Sequence, residues 1–243
     1  MPFVAFCNIS GDLVALEREV IPLNAGQKST FIVADDHPVV RQGVRMVLET
    51  EFSDSVIVEA ADLDATLEAV MAQPHALLLI DLDMPGMDGI ESLRALRQDF
   101  PPLQMAVLTG NGERQVMADA LGAGVNGYIL KACPPDEFLY AISTIRSGRI
   151  YLANMARHVA SATPPLLVPR PAAYEPRADG RPSMTPRQCQ VVDWLMKGHS
   201  NKQIARDLDI GEGTVKIHLA SIFRTLGASN RTEAVMIASR LKL

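Results

Sequence analysis

Residues 77–89 read LLLIDLDMPGMDG, and the unbroken apolar run from Ala76 to Ile80 ends abruptly at two carboxylates, Asp81 and Asp83. A short apolar run closed by a Pro-Gly turn predicts a strand buried on both faces. Similar runs recur at FIVADD (31–36), SVIVEA (55–60), QMAVLT (104–109) and GYILK (127–131). Helical patterns lie between them, around residues 38–50, 63–73, 90–100 and 113–121, with a last one at 135–147. Strand-helix alternation at this spacing predicts an α/β fold with a doubly wound, five-stranded parallel sheet. Ligands of such sheets gather at the carboxyl ends of the strands. Asp35, Asp36, Asp81, Thr109 and Lys131 all stand at those ends.

The bulk composition sets the frame. With 243 residues, 48% of them hydrophobic, the chain can build one large domain or two ordinary ones. No apolar run approaches the roughly 18 residues needed to cross a bilayer, so no membrane partner is expected. The N-terminus has no basic leader and carries Asp12, Glu17 and Glu19, unlike a secretory signal. Cys7, Cys133 and Cys189 are odd in number and far apart, which argues against disulfides or zinc and for a reducing cytoplasm. Charge is unevenly spread. Residues 29–150 hold 18 Asp and Glu against 8 Lys and Arg, whereas residues 183–243 hold 9 Lys and Arg against 5 Asp and Glu. An acidic front and a basic back predict two domains with different partners, the basic one suited to nucleic acid.

Four segments follow. Residues 1–28 read as a loosely ordered N-terminal extension, and residues 29–150 as the α/β domain. Residues 151–182 form a linker, with a short helix suggested by YLANMARHVASAT and six prolines between 164 and 182. Residues 183–243 form a small all-α domain of four helices, expected at about 186–197, 201–208, 213–226 and 230–240. Thr185-Pro-Arg-Gln188 is a capping box with proline in the first turn.

Four carboxylates at the mouth of one sheet repel one another unless a cation joins them. Oxygen ligands select a hard ion, and Mg²⁺ commonly uses one or two carboxylates with water and phosphate oxygens. With a lysine and a hydroxyl nearby, the set suits phosphoryl transfer.

The ordered motifs IVADDH, LLLIDLDMPGMDG, VLTG and GYILK resemble the receiver domain of bacterial two-component response regulators, whose sheet is flavodoxin-like. The resemblance spans about residues 29–150. It implies that Asp81 accepts the phosphoryl group. Asp35, Asp36 and Asp81 would hold Mg²⁺, with Asp83 contributing through its backbone carbonyl. Thr109, Tyr128 and Lys131 match the switch hydroxyl, the switch aromatic and the phosphate-pairing lysine. Asp88, in an Asp-Gly turn, reads as structural. Ala132 departs from the proline that many receivers place after the lysine.

The C-terminal segments GHSNKQIARDLDI, GTVKIHLASIFRTLG and SNRTEAV resemble the LuxR-type helix-turn-helix domain found in the NarL/FixJ class. In the third helix Val215, Leu219, Ile222 and Leu226 make a core stripe, and Lys216, Ile217, Ala220 and Arg224 fall outside it. That second face suits the major groove, with Lys216 directed to guanine and Ile217 or Ala220 to a thymine methyl. The resemblance adds Asn201, Lys202, Thr214 and His218 as DNA contacts, and a dimerisation surface at Val235, Ile237 and Ala238. Gln188 stands where the family usually has Glu, and Gly211 where a Ser often caps the recognition helix.

The expected function is a phosphorylation-controlled transcription factor rather than an enzyme. Its partners would be a sensor histidine kinase, double-stranded promoter DNA, a second copy of itself when phosphorylated, and RNA polymerase. The alternative is a phosphorylation-independent transcription factor whose receiver is a protein-interaction module. Two other classes fit less well. Asp81-Leu-Asp83 resembles the motif of haloacid-dehalogenase-type phosphatases, but Pro85 stands where those enzymes place Thr or Val. An autoinducer-binding regulator would want an aromatic-rich pocket, and aromatics are only 5%.

Overall fold

Successive residues of a strand point to opposite faces, so a run that is apolar throughout must be covered on both. The computed structural model describes residues 6–7, 13–14, 29–110, 112–153 and 183–241, and these runs form the expected sheet. Strands β1 (Phe6–Cys7) and β2 (Leu13–Val14) pair antiparallel by themselves. β3 (Thr30–Ala34), β4 (Val56–Ala60), β5 (Leu77–Ile80), β6 (Gln104–Thr109), β7 (Gly127–Leu130) and β8 (Tyr151–Leu152) form one sheet in the order β4-β3-β5-β6-β7-β8. All its pairings are parallel.

Helices α1 (Pro38–Glu51), α2 (Leu63–Ala72), α3 (Ile90–Asp99), α4 (Arg114–Gly122) and α5 (Pro135–Arg146) connect the strands. On one face Ile32, Leu78, Ile80, Met105 and Val107 pack with Leu63, Leu67, Leu93 and Leu96 from α2 and α3. On the other, Phe31, Val33, Leu77, Leu79 and Leu108 pack with Leu48 of α1 and with Phe138, Ile142 and Ile145 of α5. The alternation along β3 and β5 is what separates the two cores.

The sheet has six strands, one more than expected. Tyr151 and Leu152, assigned above to the linker and its helix, instead pair with β7. Tyr151 is buried, its hydroxyl donates to Glu137 at 2.8 Å, and Ala153 N–H donates to the Tyr128 carbonyl at 2.8 Å. A strand that would otherwise be an open edge is thereby covered, a constraint invisible in a two-residue segment. The expected helix beyond it, the proline-rich tether and most of the N-terminal extension lie outside the described residues.

The C-terminal unit holds α6 (Pro186–Met196), α7 (Asn201–Leu208), α8 (Glu212–Leu226) and α9 (Arg231–Leu241). The Thr185/Gln188 capping box is formed, and a second, Ser200/Gln203, opens α7. Val191, Leu195, Ile204, Val215, Leu219, Ile222, Ala234 and Ala238 make its core.

Chain order places the switch point at β3 and β5, which continue side by side into Asp35 and Asp81. Ala34 pairs with Ile80, and Asp81 N–H donates to the Ala34 carbonyl at 2.9 Å. Gly127 of β7 faces Ile145 so closely that a Cβ there would overlap its Cδ1 and meet Ala106 Cβ at 3.0 Å. Gly127→Ala should therefore lower stability by about 1–3 kcal/mol through overpacking, read as a lower urea midpoint by far-UV circular dichroism.

Candidate functional site

At the switch point Asp35 is fully buried and Asp81 nearly so, while Asp36 and His37 are exposed. Lys131, carried in by β7, places Nζ 2.7 Å from Asp81 Oδ2 and 2.8 Å from Asp35 Oδ2. Asp35 Oδ2 has no hydrogen bond of good geometry, so that ammonium is its compensation. Burial alone would pull the lysine pKa down, but the carboxylates of Asp35 and Asp81 outweigh it and the net direction is up. Ligand atoms of Asp35, Asp36, His37 and Asp81 all lie within 4.8 Å of one another. His37 Nδ1 is 2.6 Å from Asp36 Oδ1 and 3.2 Å from Asp35 Oδ1. Three acids against one lysine leave an oxygen-rich, negatively charged pocket, a donor set that fits a hard divalent cation.

Asp83 is exposed, outside that group, and its N–H donates to Asp81 Oδ1 at 3.3 Å. Thr109 ends β6, and its carbonyl accepts from Lys131 N–H at 2.8 Å. Tyr128 is buried at 1% exposure. Burial raises its pKa, partly offset by a side-chain hydrogen bond with Thr109. The aromatic thus already lies inside.

The second group of residues is covered rather than open. Helix α8 lies against α2 and α3, and Ile217 (0% exposed) and Ala220 (9%) join the hydrophobic cluster on that side of the sheet. Thr214 donates from N–H (2.6 Å) and from Oγ1 (3.0 Å) to Asp88 Oδ2. Lys216 Nζ is 2.7 Å from Asp64 Oδ2, and His218 Nδ1 is 2.7 Å from Asp99 Oδ2 in a buried pair. Ser221 Oγ and Arg224 Nη2 both donate to the Asp99 carbonyl at 3.3 Å, and the Arg224 guanidinium stacks 4.8 Å from the Phe100 ring centroid. Each cationic or donor group on this face of α8 meets an acidic or carbonyl oxygen on the sheet domain.

The family model described as "Response regulator receiver domain" matches residues 31–143, and that described as "Bacterial regulatory proteins, luxR family" matches residues 182–238. The chain is 34% identical to the glycerol metabolism activator of Pseudomonas putida, covering 86% of this chain and 94% of that one. It is 30% identical to the nitrate/nitrite response regulator protein NarL of Escherichia coli strain K12, with 86% and 94% covered. This chain belongs to the LuxR-type response regulators. It is a DNA-binding response regulator of a two-component system, controlling transcription. A solved structure of the RcsB response regulator of Salmonella typhimurium matches with a TM-score of 0.50 at 24% identity over 88% of this chain and 99% of that one, a likeness of fold.

Within this response regulator three of the four expected acidic residues, Asp35, Asp36 and Asp81, converge while Asp83 stays outside, and His37 is an addition that the Asp-Asp-His run did not single out. The expected DNA-reading face is not exposed. Thr214, Ile217, His218 and Ala220 are buried against the receiver and Lys216 is half-buried, while Asn201 and Lys202 stand apart on α7. Asn201 Oδ1 accepts from Arg231 at 3.3 Å. Of the expected dimerisation residues Ala238 points into its own core at 0% exposure, and Val235 packs partly onto it. The α9 side chain that stands out is Met236, 61% exposed, beside the half-buried Ile237. Asp64 and Asp99 went unnoticed and Asp88 was read only as a turn residue, because their partners are 152, 119 and 126 residues away in sequence.

Removing Lys131 would leave two buried carboxylates facing each other. With metal chelated, Lys131→Met should cost about 3 kcal/mol near neutral pH, measured by urea unfolding. Because the folded-state pKa of this lysine is raised, its contribution is complete below the unfolded value and is lost as pH rises through the folded one. The gap between wild type and variant should therefore narrow above about pH 10.4.

Proposed function

We propose that Asp81 accepts a phosphoryl group from a sensor histidine kinase, and that this frees α8 from the receiver to bind promoter DNA. The observation that carries the reading is the burial of Thr214 and Ile217 of α8, with Thr214 hydrogen-bonded to Asp88 of a loop, residues 82–89, that begins directly after Asp81. DNA and the receiver would need the same face of α8, so the two cannot occupy it together.

In the transfer an Asp81 carboxylate oxygen forms a bond to phosphorus while the bond from phosphorus to the kinase imidazole nitrogen breaks, and the imidazole leaves with that electron pair. Asp35, Asp36 and Asp81, with the Asp83 carbonyl, would hold Mg²⁺, which when bound neutralises charge on the phosphoryl oxygens. Lys131, now on Asp81 Oδ2, is placed to follow the new anionic oxygens, and the Thr109 hydroxyl to donate to one of them. With Tyr128 already buried, the change passes to α8 through the 82–89 loop rather than through an inward swing of the ring.

Five of the seven expected DNA contacts, Thr214, Lys216, Ile217, His218 and Ala220, become available only on release. Lys202 on α7 would meet phosphate throughout. Residues 29–153 and 183–243 then act as separate domains joined by the 154–182 tether, and a homodimer would use the α9 face around Met236 and Ile237. Among the described residues Cys133 and Cys189 are free thiols, which suits a reducing cytoplasm.

Intact mass after incubation with acetyl phosphate and Mg²⁺ tests the chemistry. Wild type should gain one phosphoryl group, and Asp81→Asn, or wild type with EDTA, should gain none. Uptake by Asp81→Asn equal to wild type would place the phosphate elsewhere. In DNA titrations Lys202→Ala should weaken all duplexes alike and flatten the salt slope, whereas Lys216→Ala should reduce discrimination between sites.

A further inference from the structure

Gly211 and Gly213 flank the start of α8, and neither needs glycine for its backbone. Gly211 has φ −74° in the N-cap position and Gly213 lies within the helix, conformations any residue adopts. What distinguishes them is what a side chain would meet. A Cβ on Gly211 would overlap the carboxylate of Asp88, and a Cβ on Gly213 would overlap the carbonyl oxygen of Gly86. Both obstacles belong to the receiver loop that follows Asp81.

That loop also completes the helix. The first N–H groups of any α-helix lack partners within it, and a polar N-cap side chain usually supplies one. α8 has no side-chain cap of its own, since Gly211 cannot provide one. Asp88 supplies it from the other domain, taking the Thr214 N–H at 2.6 Å and its hydroxyl at 3.0 Å. The loop is itself held, with Asp88 N–H donating to Ser92 Oγ at 2.9 Å and the Pro85 carbonyl accepting from Leu63 N–H at 3.1 Å.

We propose that Gly211 and Gly213 form a socket for the receiver loop at Gly86–Asp88, in which Asp88 serves as the N-cap of α8, and that this socket is the latch holding the unphosphorylated protein closed. The inference rests on the proposed masking of α8 and locates where it is released. Six residues of chain link Asp81 to Asp88, so a shift of the loop at the phosphorylation site withdraws the cap and the Gly86 carbonyl together. A serine at 211 would act twice. It would cap α8 from within the helix and would exclude Asp88 from the space that glycine leaves open.

The test uses the full chain. Wild type, Gly211→Ser, Gly213→Ala and Asp88→Ala are titrated onto a fluorescent duplex of random sequence at low salt, with and without acetyl phosphate and Mg²⁺. Circular dichroism melts confirm folding. Closure lowers apparent affinity by the fraction of molecules that are open, so the unphosphorylated variants should bind about tenfold tighter than unphosphorylated wild type and gain little on phosphorylation. Variants that bind as weakly as wild type, while phosphorylated wild type gains affinity, would overturn the latch and leave the phosphorylation reading standing. Tight binding by the variants when phosphorylated wild type gains nothing would support the latch and count against phosphorylation as its release. If both glycine variants lose DNA binding in every condition, Asp88→Ala decides, since it leaves α8 unchanged. Tight binding by Asp88→Ala upholds the latch, and wild-type weakness refutes it.

Discussion

Two carboxylates end adjacent parallel strands, and one ammonium lies between them. Lys131 Nζ stands within 2.8 Å of both Asp35 and Asp81, and the remaining architecture makes that contact available or responds to it. The parallel pairing of β3 with β5 brings the acids together, and β7 delivers the lysine. Like charges at this depth are tolerated only with a cation present. A pocket that carries three acids against one lysine is therefore poised to take another cation and an anionic group with it.

The same stretch of chain serves both halves of the molecule. Met84, 2% exposed, roots the loop after Asp81 in the hydrophobic cluster that also receives Ile217 and Ala220 from α8. At the opposite end of the interface the pair His218–Asp99 is buried and supported by Ser221, whose hydroxyl also accepts from Gln188 Nε2 at 3.0 Å. Gln188 is significant here. Its amide donates to Ser221, which leaves the serine hydrogen for the Asp99 carbonyl. A glutamate, the usual family residue, would take that hydrogen instead and turn the serine away from the receiver.

Much of this was legible in the chain. The apolar runs ending in Asp35, Asp81 and Lys131 announce a parallel sheet with its chemistry at one edge, because strand ends and charge coincide there. The first and third helices of the C-terminal unit follow from the Thr185 capping box and from the Val215–Leu226 stripe. The closed arrangement was not legible. A second helix face carrying Lys216, Ile217 and Ala220 reads equally as a face for DNA or for another domain, since both want apolar and cationic groups. Asp88 is an ordinary turn residue by local pattern, and Gly211 a weak cap, until each is seen against the other. Tyr151 was misread because a two-residue strand has no periodicity.

Pulsed electron paramagnetic resonance tests the central claim that the receiver covers α8 until its acidic pocket is filled. Nitroxides at Glu68→Cys and Arg206→Cys, both exposed, would be placed in a chain whose native cysteines are serine. One narrow distance distribution is expected for the protein alone. Adding beryllofluoride and Mg²⁺, which imitate the phosphoryl group, should lengthen and broaden it. A distribution unchanged by saturating beryllofluoride, with the fluoride adduct verified at Asp81, would contradict the account.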